Sequence, residues 1–447
     1  MQTNDNNISL QTNAPGDPWL LDRAAAVLLV TVISVSVLYP ETFILDFPIV
    51  GSERTLPLSI LLPVVIVFTL IYAIKRLETV HIGYVDIAVL TLAAYVLLRN
   101  APAQAGMIGV KYALLGLGLF FLTAMLSRRI DLNRLIMWLF VGLACITCLY
   151  ALLEYILQKN IIFEEFITTT IRQPEGELHR AGSTLVHPVS FGAFLIQLLP
   201  FCILAWYTSR DSRQRVLGLV TSALATLALF LTYSKGSWIV AVIIIGCLVF
   251  YAVWQRSSRA IYIIALFVAM LAVVTGAFWQ QMTEDMSDRS AMSVDLRLAG
   301  WKAAIEGIME HPLIGVGQKQ GDNVVWSHLD AETQASVIGG NLNLPVDNYY
   351  LNVFLEEGLA GLVLWLLVMS LMIREGIILI RRDTPARPWA VAALAGMAGI
   401  FLNAITFDAL LIWSNYVIFW VTAGLLHGLS QGERTETATN KNAILWE

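Results

Sequence analysis

Long apolar runs separated by short polar connections constrain the fold of this chain more than any other feature. A helix needs about 20 apolar residues to cross the hydrocarbon core of a bilayer. Runs of that order recur along the chain and predict about twelve transmembrane helices. They cover residues 22–39, 56–74, 84–98, 106–126, 134–157, 185–207, 216–233, 237–254, 260–278, 349–373, 389–407 and 410–428. The predicted fold is therefore an all-α polytopic membrane protein.

Composition supports this fold class and excludes one class of partner. Of 447 residues, 57% are hydrophobic and 14% are charged, whereas about 25% are charged in a typical soluble domain. The net charge of -5 comes with no basic block, which argues against a nucleic-acid partner. We predict one transmembrane domain at 19–433, a disordered cytoplasmic tail at 1–18 and a second cytoplasmic tail at 434–447.

Arginine and lysine cluster in every second connection between the predicted spans. These cations are Lys75, Arg76, Arg128, Arg129, Arg134, Arg210, Arg213, Arg215, Arg256, Arg259, Arg381, Arg382 and Arg387. Because short loops rich in cations stay in the cytoplasm, both chain ends are predicted to be cytoplasmic. The two long loops, 158–184 and 279–348, are then on the outer side.

The longest outer loop contains one clear helical pattern, which predicts a helical cap between the ninth and tenth spans. Its apolar positions are Leu298, Trp301, Ile305 and Ile308. Ser293 or Asp295 is a candidate N-cap, and His311-Pro312 is the predicted stop. The apolar face is wide enough to lie against other helices or the membrane surface. A flexible turn, Gly315-Val-Gly317, follows the helix.

Three cations stand apart from the cytoplasmic set: Arg180, Lys235 and Arg297. Each lies at or near a predicted membrane boundary on the outer side. Taken singly, each is explained by a long side chain that reaches from the membrane to the interface. Together, from three separate outer connections, they form a predicted cationic pocket at the depth of lipid headgroups, which suits a lipid-linked phosphate or diphosphate.

Asp347 is the natural carboxylate partner for such a pocket. It ends the long outer loop, directly before Asn348 and the aromatic pair Tyr349-Tyr350. As a general base it would take the proton of an attacking sugar hydroxyl, while the cations stabilise charge on the departing phosphate. The alternative is that Asp347 caps the helix that follows.

Two further carboxylates, Glu356 and Glu357, lie about two turns deeper than Asp347. At that depth they are functional candidates, although pairing with a nearby cation explains them equally well. The spacing of the histidines matches no helix-borne metal motif. We therefore predict neither a metal nor a cofactor.

Several of these pieces occur together in one known family of bacterial membrane proteins. They are Arg180-x-Gly182, Thr232-x-Ser234-Lys235-Gly236, Arg297-x-x-x-Trp301, His311-Pro312-x-x-Gly315-x-Gly317, Asp347-Asn348-x-Tyr350-Leu351 and Glu357-Gly358-x-x-Gly361. In this combination the chain resembles the O-antigen ligase and O-antigen polymerase family. The resemblance covers about residues 180–365 in motif and the whole chain in topology.

This resemblance implies a metal-independent, inverting glycosyltransferase of the bacterial inner membrane. Such an enzyme moves a glycan from undecaprenyl diphosphate to a glycan acceptor at the periplasmic face. Arg180, Lys235 and Arg297 would bind the diphosphate and act with Asp347 in catalysis. The predicted substrate-binding set adds Trp301, Asn348 and Tyr350. Expected partners are membrane lipids and a chain-length regulator or export proteins.

Two departures from the family pattern bear on the reaction. The family usually has Ser-Arg where this chain has Ser234-Lys235, which keeps the charge and loses the planar fork. The ligases usually have His-Asn where this chain has Asp347-Asn348. An aspartate cannot become the cation that an imidazole becomes on protonation, so we favour a polymerase of exopolysaccharide or O-antigen.

Three alternatives stay open at this point. A ligase would transfer the glycan to lipid A core, and an oligosaccharyltransferase would transfer it to a protein. A transporter of lipid-linked glycans would need polar residues through the bilayer. The few charges within the spans, such as Lys111, Glu154 and Asp408, lie near span ends, which favours chemistry at the outer face over transport.

Overall fold

A computed structural model describes residues 18–39, 56–75, 82–100, 107–129, 131–162, 179–255, 288–339 and 346–444, and single positions between 261 and 276. Within these residues the chain is helical and contains no strand. The predicted span 260–278 and the first tail lie largely outside the described residues. So do most of the outer loop 158–184 and parts of the loop 279–348.

Among the continuously described residues, eight α-helices precede the long loop. They are α1 (Pro18–Leu38), α2 (Leu56–Lys75), α3 (Tyr84–Asn100), α4 (Met107–Leu126), α5 (Leu132–Leu157), α6 (Pro188–Thr208), α7 (Ser212–Leu231) and α8 (Lys235–Trp254). Each coincides with one of the predicted apolar spans to within a few residues. The long apolar runs in the sequence therefore located these helices correctly.

Six helices lie within or after the long loop. They are α9 (Asp288–Glu310), α10 (Gly321–His328), α11 (Ala331–Gly339), α12 (Tyr349–Arg381), α13 (Arg387–Asn403) and α14 (Trp413–Ile444). In the described chain, seven helices, α1, α4 to α8 and α12, are long and apolar enough to cross a membrane. This result establishes an all-helical membrane protein, and the count of twelve spans stays a prediction.

Helix α6 is the centre of the bundle. Nearly all of its residues are buried, because it packs against α5, α7 and α13. Polar contacts also fix it: Gln197 Nε2 donates to Asn415 Oδ1 of α14 at 3.2 Å. Helix α14 packs in turn against α4, so the two halves of the chain share one core.

The boundaries of three helices differ from those predicted. Helix α9 begins at Asp288, upstream of the expected caps Ser293 and Asp295. Its end at Glu310, just before His311, is as predicted. Helices α12 and α14 continue to Arg381 and Ile444, well past 373 and 428, since the polar residues that end an apolar run do not end a helix.

Helix α12 is interrupted at Gly358. This residue has φ 69° and ψ -173°, which breaks the α-helical backbone after two turns. The turn at Gly315 and Gly317 docks on the break: Val316 N donates to Leu355 O at 2.9 Å, and Gly317 N donates to Glu356 O at 2.8 Å. The predicted flexible turn is therefore held in place by carbonyl groups that the interrupted helix leaves unpaired.

Candidate functional site

A short strap at residues 179–187 crosses one end of the bundle, called here the site end. The carboxylate of Glu154, fully buried at the end of α5, organises it. Its Oε2 accepts from Ser183 N at 2.7 Å, and its Oε1 lies 2.8 Å from His179 Nε2. The two oxygens thus bond to residues on either side of Arg180, one to the His179 ring and the other to the Ser183 backbone.

The strap ties Arg180 to the turn between α7 and α8. Arg180 Nε donates to Thr232 O at 3.0 Å, and Ala181 N donates to Leu231 O at 2.9 Å. Lys235, half-buried, is the first residue of α8 after the same turn. Two of the three predicted cations therefore belong to adjoining segments.

The connection between α13 and α14 links this turn to the start of α12. Asn403 Nδ2 donates to Ser237 Oγ of α8 at 3.1 Å. The next residue, Ala404, accepts through its carbonyl oxygen from Tyr349 N at 2.9 Å. Tyr350 strengthens the link, because its hydroxyl donates to Phe401 O at 2.8 Å.

The third cation, Arg297, forms an ion pair with Asp347. Arg297 Nε lies 2.8 Å from Asp347 Oδ2, and the two side chains are 44% and 13% exposed respectively. A second contact holds α9 beside this segment, since Trp301 Nε1 donates to Val346 O at 2.6 Å. Hydrogen bonds thus link the segments that carry the four predicted catalytic residues at the site end.

The alternative that Asp347 caps the following helix is wrong. Asn348 is the N-cap of α12, and its Oδ1 accepts from both Tyr350 N and Leu351 N at 3.1 Å. Asp347 has φ 47°, a left-handed conformation that Asp and Asn tolerate better than most residues. This conformation turns the Asp347 side chain to Arg297. The side chains of Asn348, Trp301 and Tyr350 bond within the protein, and their predicted role in substrate binding stays a prediction.

Asp408 is a second carboxylate at the same end, in the connection before α14. Burial, together with the nearby charge of Asp347, raises the pKa of Asp408 to about 7. A hydrogen bond from Asn352 and the charge of Lys319 oppose this rise. Within the described residues, Asp408 Oδ1 is buried and has no hydrogen-bond partner. Burial also raises the pKa of Asp347, and the Arg297 guanidinium only partly offsets that effect.

The two carboxylates deeper in α12 hold the loop after α9. Glu356 Oε1 accepts from Lys319 N at 2.8 Å. Glu357 acts through Asn100 of α3: its Oε1 accepts from Asn100 Nδ2 at 2.9 Å, and Asn100 Oδ1 accepts from Gln318 N of the loop at 3.0 Å. Each side chain thus accepts from an N–H group, and each also has a cation nearby, Lys319 for Glu356 and Arg99 for Glu357. Their contacts position the loop that carries Lys319, an exposed cation near Asp408.

Sequence reasoning missed Glu154, Lys319 and Asp408 as members of this region. Glu154 and Asp408 did carry a signal, since a charge at the end of an apolar run requires a partner or water. Lys319 carried no such signal, because its sequence context is that of an ordinary cation in a polar loop. In the described residues, no group of three or more His, Cys, Asp or Glu side chains has the geometry of a metal site.

Fold and site together define a polytopic helical membrane protein with clustered cations and carboxylates at one end of the bundle. Residues 218–366 match the family model described as O-antigen ligase. The match includes Lys235, Arg297 and Asp347, whereas Arg180 and Asp408 lie outside it. No curated protein matches the chain significantly. The match confirms the family resemblance of the motifs within residues 218–366 of this membrane protein.

Proposed function

We propose that this protein is a polymerase-type glycosyltransferase of the bacterial inner membrane. It joins oligosaccharide units linked to undecaprenyl diphosphate into exopolysaccharide or O-antigen at the periplasmic face. The single observation that best supports this proposal is the Arg297–Asp347 pair, because it places a guanidinium against a candidate base.

Arg297 can serve two groups at once. It contacts Asp347 through Nε alone, and no partner among the described residues binds its two terminal nitrogens. A guanidinium presents a planar fork that matches phosphate oxygens. Arg297 would thus bind the diphosphate with this fork while Nε keeps Asp347 beside the reacting sugar.

The reaction follows from this division of roles. The acceptor hydroxyl oxygen forms a bond to the anomeric carbon of the donor, and its proton passes to Asp347. The bond between that carbon and the diphosphate oxygen breaks, and the electron pair leaves with undecaprenyl diphosphate. Attack from the face opposite the diphosphate inverts the configuration. Arg180, Lys235 and Arg297 stabilise the charge that develops on the leaving group.

The raised pKa of Asp347 favours this assignment. A carboxylate whose pKa is raised accepts a proton more readily than an exposed aspartate does. The hydrogen bonds of Glu154 to the strap support it too, since they restrict where Arg180 can lie. A preorganised cation stabilises a transition state better than one that must be ordered during the reaction.

A ligase that transfers glycan to lipid A core is the second candidate. The description of the matching family, O-antigen ligase, favours it. The aspartate at position 347, where the ligases usually have histidine, favours the polymerase. Transfer to a protein acceptor is a variant of the same chemistry, whereas a glycan transporter would leave the carboxylate and cations at the site end without a chemical role.

The test is to incubate the purified protein with an undecaprenyl-diphosphate-linked oligosaccharide as the only glycan. Lengthened lipid-linked chains in the wild type, and none in Asp347→Asn, are the expected result. Product that forms only after lipid A core or a protein acceptor is added would replace the polymerase with that transferase. Movement of the intact donor across the membrane without bond formation would replace it with a transporter.

A further inference from the structure

Helix α9 has two apolar faces, and other described residues cover only one of them. On the covered face, Ala303, Ala304 and Ile308 are buried in a small cluster with Val325 and Leu355. The other face bears Leu298, Ile305 and Met309, which are 54%, 50% and 75% exposed. Their spacing of seven and four residues places them in one stripe along the helix.

This stripe continues beyond the end of the helix. Leu313 and Ile314, in the turn that follows, are 67% and 58% exposed. Their segment is bonded to the break in α12, since Leu359 N donates to Pro312 O at 2.9 Å and Ala360 N donates to Leu313 O at 3.2 Å. The exposed apolar surface of the cap thereby reaches a helix long enough to cross the membrane.

The surface that it reaches is an exposed apolar side of α12, the kind of surface that lipid covers on a helix that crosses a membrane. Leu359 and Val363, directly after the break, are 44% and 52% exposed. Leu98, at the end of α3, is 81% exposed beside Arg99, whose Nε donates to Ile314 O at 3.0 Å. An isolated exposed leucine is ordinary, but a contiguous apolar patch of this kind marks an interaction site.

We infer that α9 lies in the lipid–water interface at the site end, with Leu298, Ile305, Met309, Leu313 and Ile314 immersed in the adjoining lipid leaflet. Continuity with this exposed apolar side of α12 identifies the partner as membrane lipid. The residues on either side of the stripe agree with a lipid partner. Trp301 borders one side, while the exposed residues Lys302, Glu306 and Glu310 follow in turn on the other, as in a helix that lies in a membrane interface.

The position of α9 in the interface bears on how the proposed enzyme meets its lipid-linked donor, although the inference does not depend on the proposed function. Arg297 directly precedes Leu298 and would lie at headgroup depth. A lipid-linked diphosphate could then meet Arg297 without its lipid tail leaving the membrane.

Fluorescence depth measurements test the inference without any assay of activity. Met309→Cys and Leu313→Cys would each carry an environment-sensitive fluorophore, in a protein without its four native cysteines and reconstituted into phospholipid vesicles. Glu310→Cys and Asn323→Cys are the controls, the first adjacent to Met309 and the second on α10. Vesicles with a nitroxide on the lipid chain supply the quencher.

The two stripe positions should give blue-shifted emission and quenching by the lipid nitroxide, and the two controls should give neither. Equal emission and quenching at all four positions would overturn the inference. A blue shift that disappears when the protein is diluted into excess lipid would also overturn it, in favour of contact with a second copy. Size-exclusion profiles like that of the unlabelled protein establish that each variant is folded.

Discussion

At the scale of single residues, the structure assigns the cap of α12 to Asn348, and the base role of Asp347 stays a proposal. Asn348 caps α12, so replacing Asp347 leaves the cap intact. Asn at position 347 also tolerates the left-handed backbone found there. A substitution at Asp347 therefore tests chemistry with little effect on folding.

We expect Asp347→Asn to lower the rate of polymer formation by roughly 10² to 10⁴, because it removes the proton acceptor. Thermal stability should barely change. The measurement is polymer formed per folded molecule, with donor binding assayed separately. Asn348→Ala is the matched comparison and should lower stability by about 1 kcal/mol through the lost cap. An Asp347→Asn protein with wild-type turnover would exclude the base role.

Two substitutions at Lys235 separate the effect of its positive charge from the effect of its side-chain geometry. If it stabilises the leaving diphosphate, Lys235→Ala should reduce turnover by an amount that corresponds to about 3 to 4 kcal/mol. Lys235→Arg should keep much of the activity, since it keeps the charge. Both variants are compared at equal abundance in the membrane. Full activity of the alanine variant would mean that Lys235 only reaches to the interface.

The raised pKa of Asp408 predicts how the stability of the folded protein depends on pH. Its pKa is raised in the folded protein from an ordinary value near 3.8 to about 7. The folded state therefore favours protonated Asp408, and this contribution is fully present below pH 3.8 and is lost as the pH rises through 7. Asp347, whose pKa is also raised, acts in the same direction.

We expect the melting temperature of the wild type to fall between about pH 5.5 and pH 8. The fall should be smaller in Asp408→Asn, which cannot ionise at this position. Thermal unfolding in detergent at the two pH values measures the difference. An equal fall in both proteins would show that Asp408 does not ionise between the two pH values, which would contradict a pKa near 7.

At the scale of elements, the break in α12 is the feature that joins the cap to the bundle. Gly358 has a positive φ, and a Cβ there would collide with the backbone oxygen of Leu313. Tyr95 adds to the joint, because its hydroxyl donates to Glu357 O at 2.6 Å. The loop after α9 thus depends on a glycine for close approach.

Gly358→Ala should lower the free energy of unfolding by roughly 1 to 3 kcal/mol, the range expected for strain at a special backbone conformation. It should also reduce turnover, since it loosens the segment that holds Arg297 near Asp347. Gly142→Ala in α5 is the control, because a Cβ there meets no atom within 4 Å. Similar stability of the two variants would mean that the joint does not depend on Gly358.

At the scale of the whole molecule, those cations of the predicted cytoplasmic set that the structure describes lie at the end opposite the site. Helices α6, α8 and α12 all begin at the site end and lead away to connections that carry arginine. Two contacts there illustrate this arrangement: Arg134 meets Gln214 at 3.5 Å, and Arg387 lies 5.8 Å from the ring centroid of Tyr251. The structure therefore separates the two ends, and the assignment of sides follows from the positive-inside rule.

This assignment predicts that the site end faces the periplasm. Ser327→Cys and Thr170→Cys, without the native cysteines, should react with an impermeant maleimide in intact cells whose outer membrane is permeable. Asp383→Cys, at the opposite end, should react only after lysis. The reverse pattern would place the site in the cytoplasm and would exclude the proposed periplasmic reaction.

The amino-acid sequence by itself determined the fold class, the positions of the described membrane helices and the residues that mark the family. These features depend on local properties: an apolar run of sufficient length forms a helix in lipid, and short motifs can be read without knowing their neighbours. Because these motifs can be read locally, the sequence also predicted Arg180, Lys235, Arg297 and Asp347 as one group.

Only the tertiary structure decided which partner each of these side chains has. Asp347 bonds to a residue 50 positions earlier in the chain, and Glu154 holds a strap 25 to 29 positions later. The role of Asn348 as cap, the docking of the loop on Gly358 and the uncovered stripe of α9 likewise depend on packing between distant segments. No pattern within one segment specifies such contacts, because each depends on where the other segment lies in the bundle.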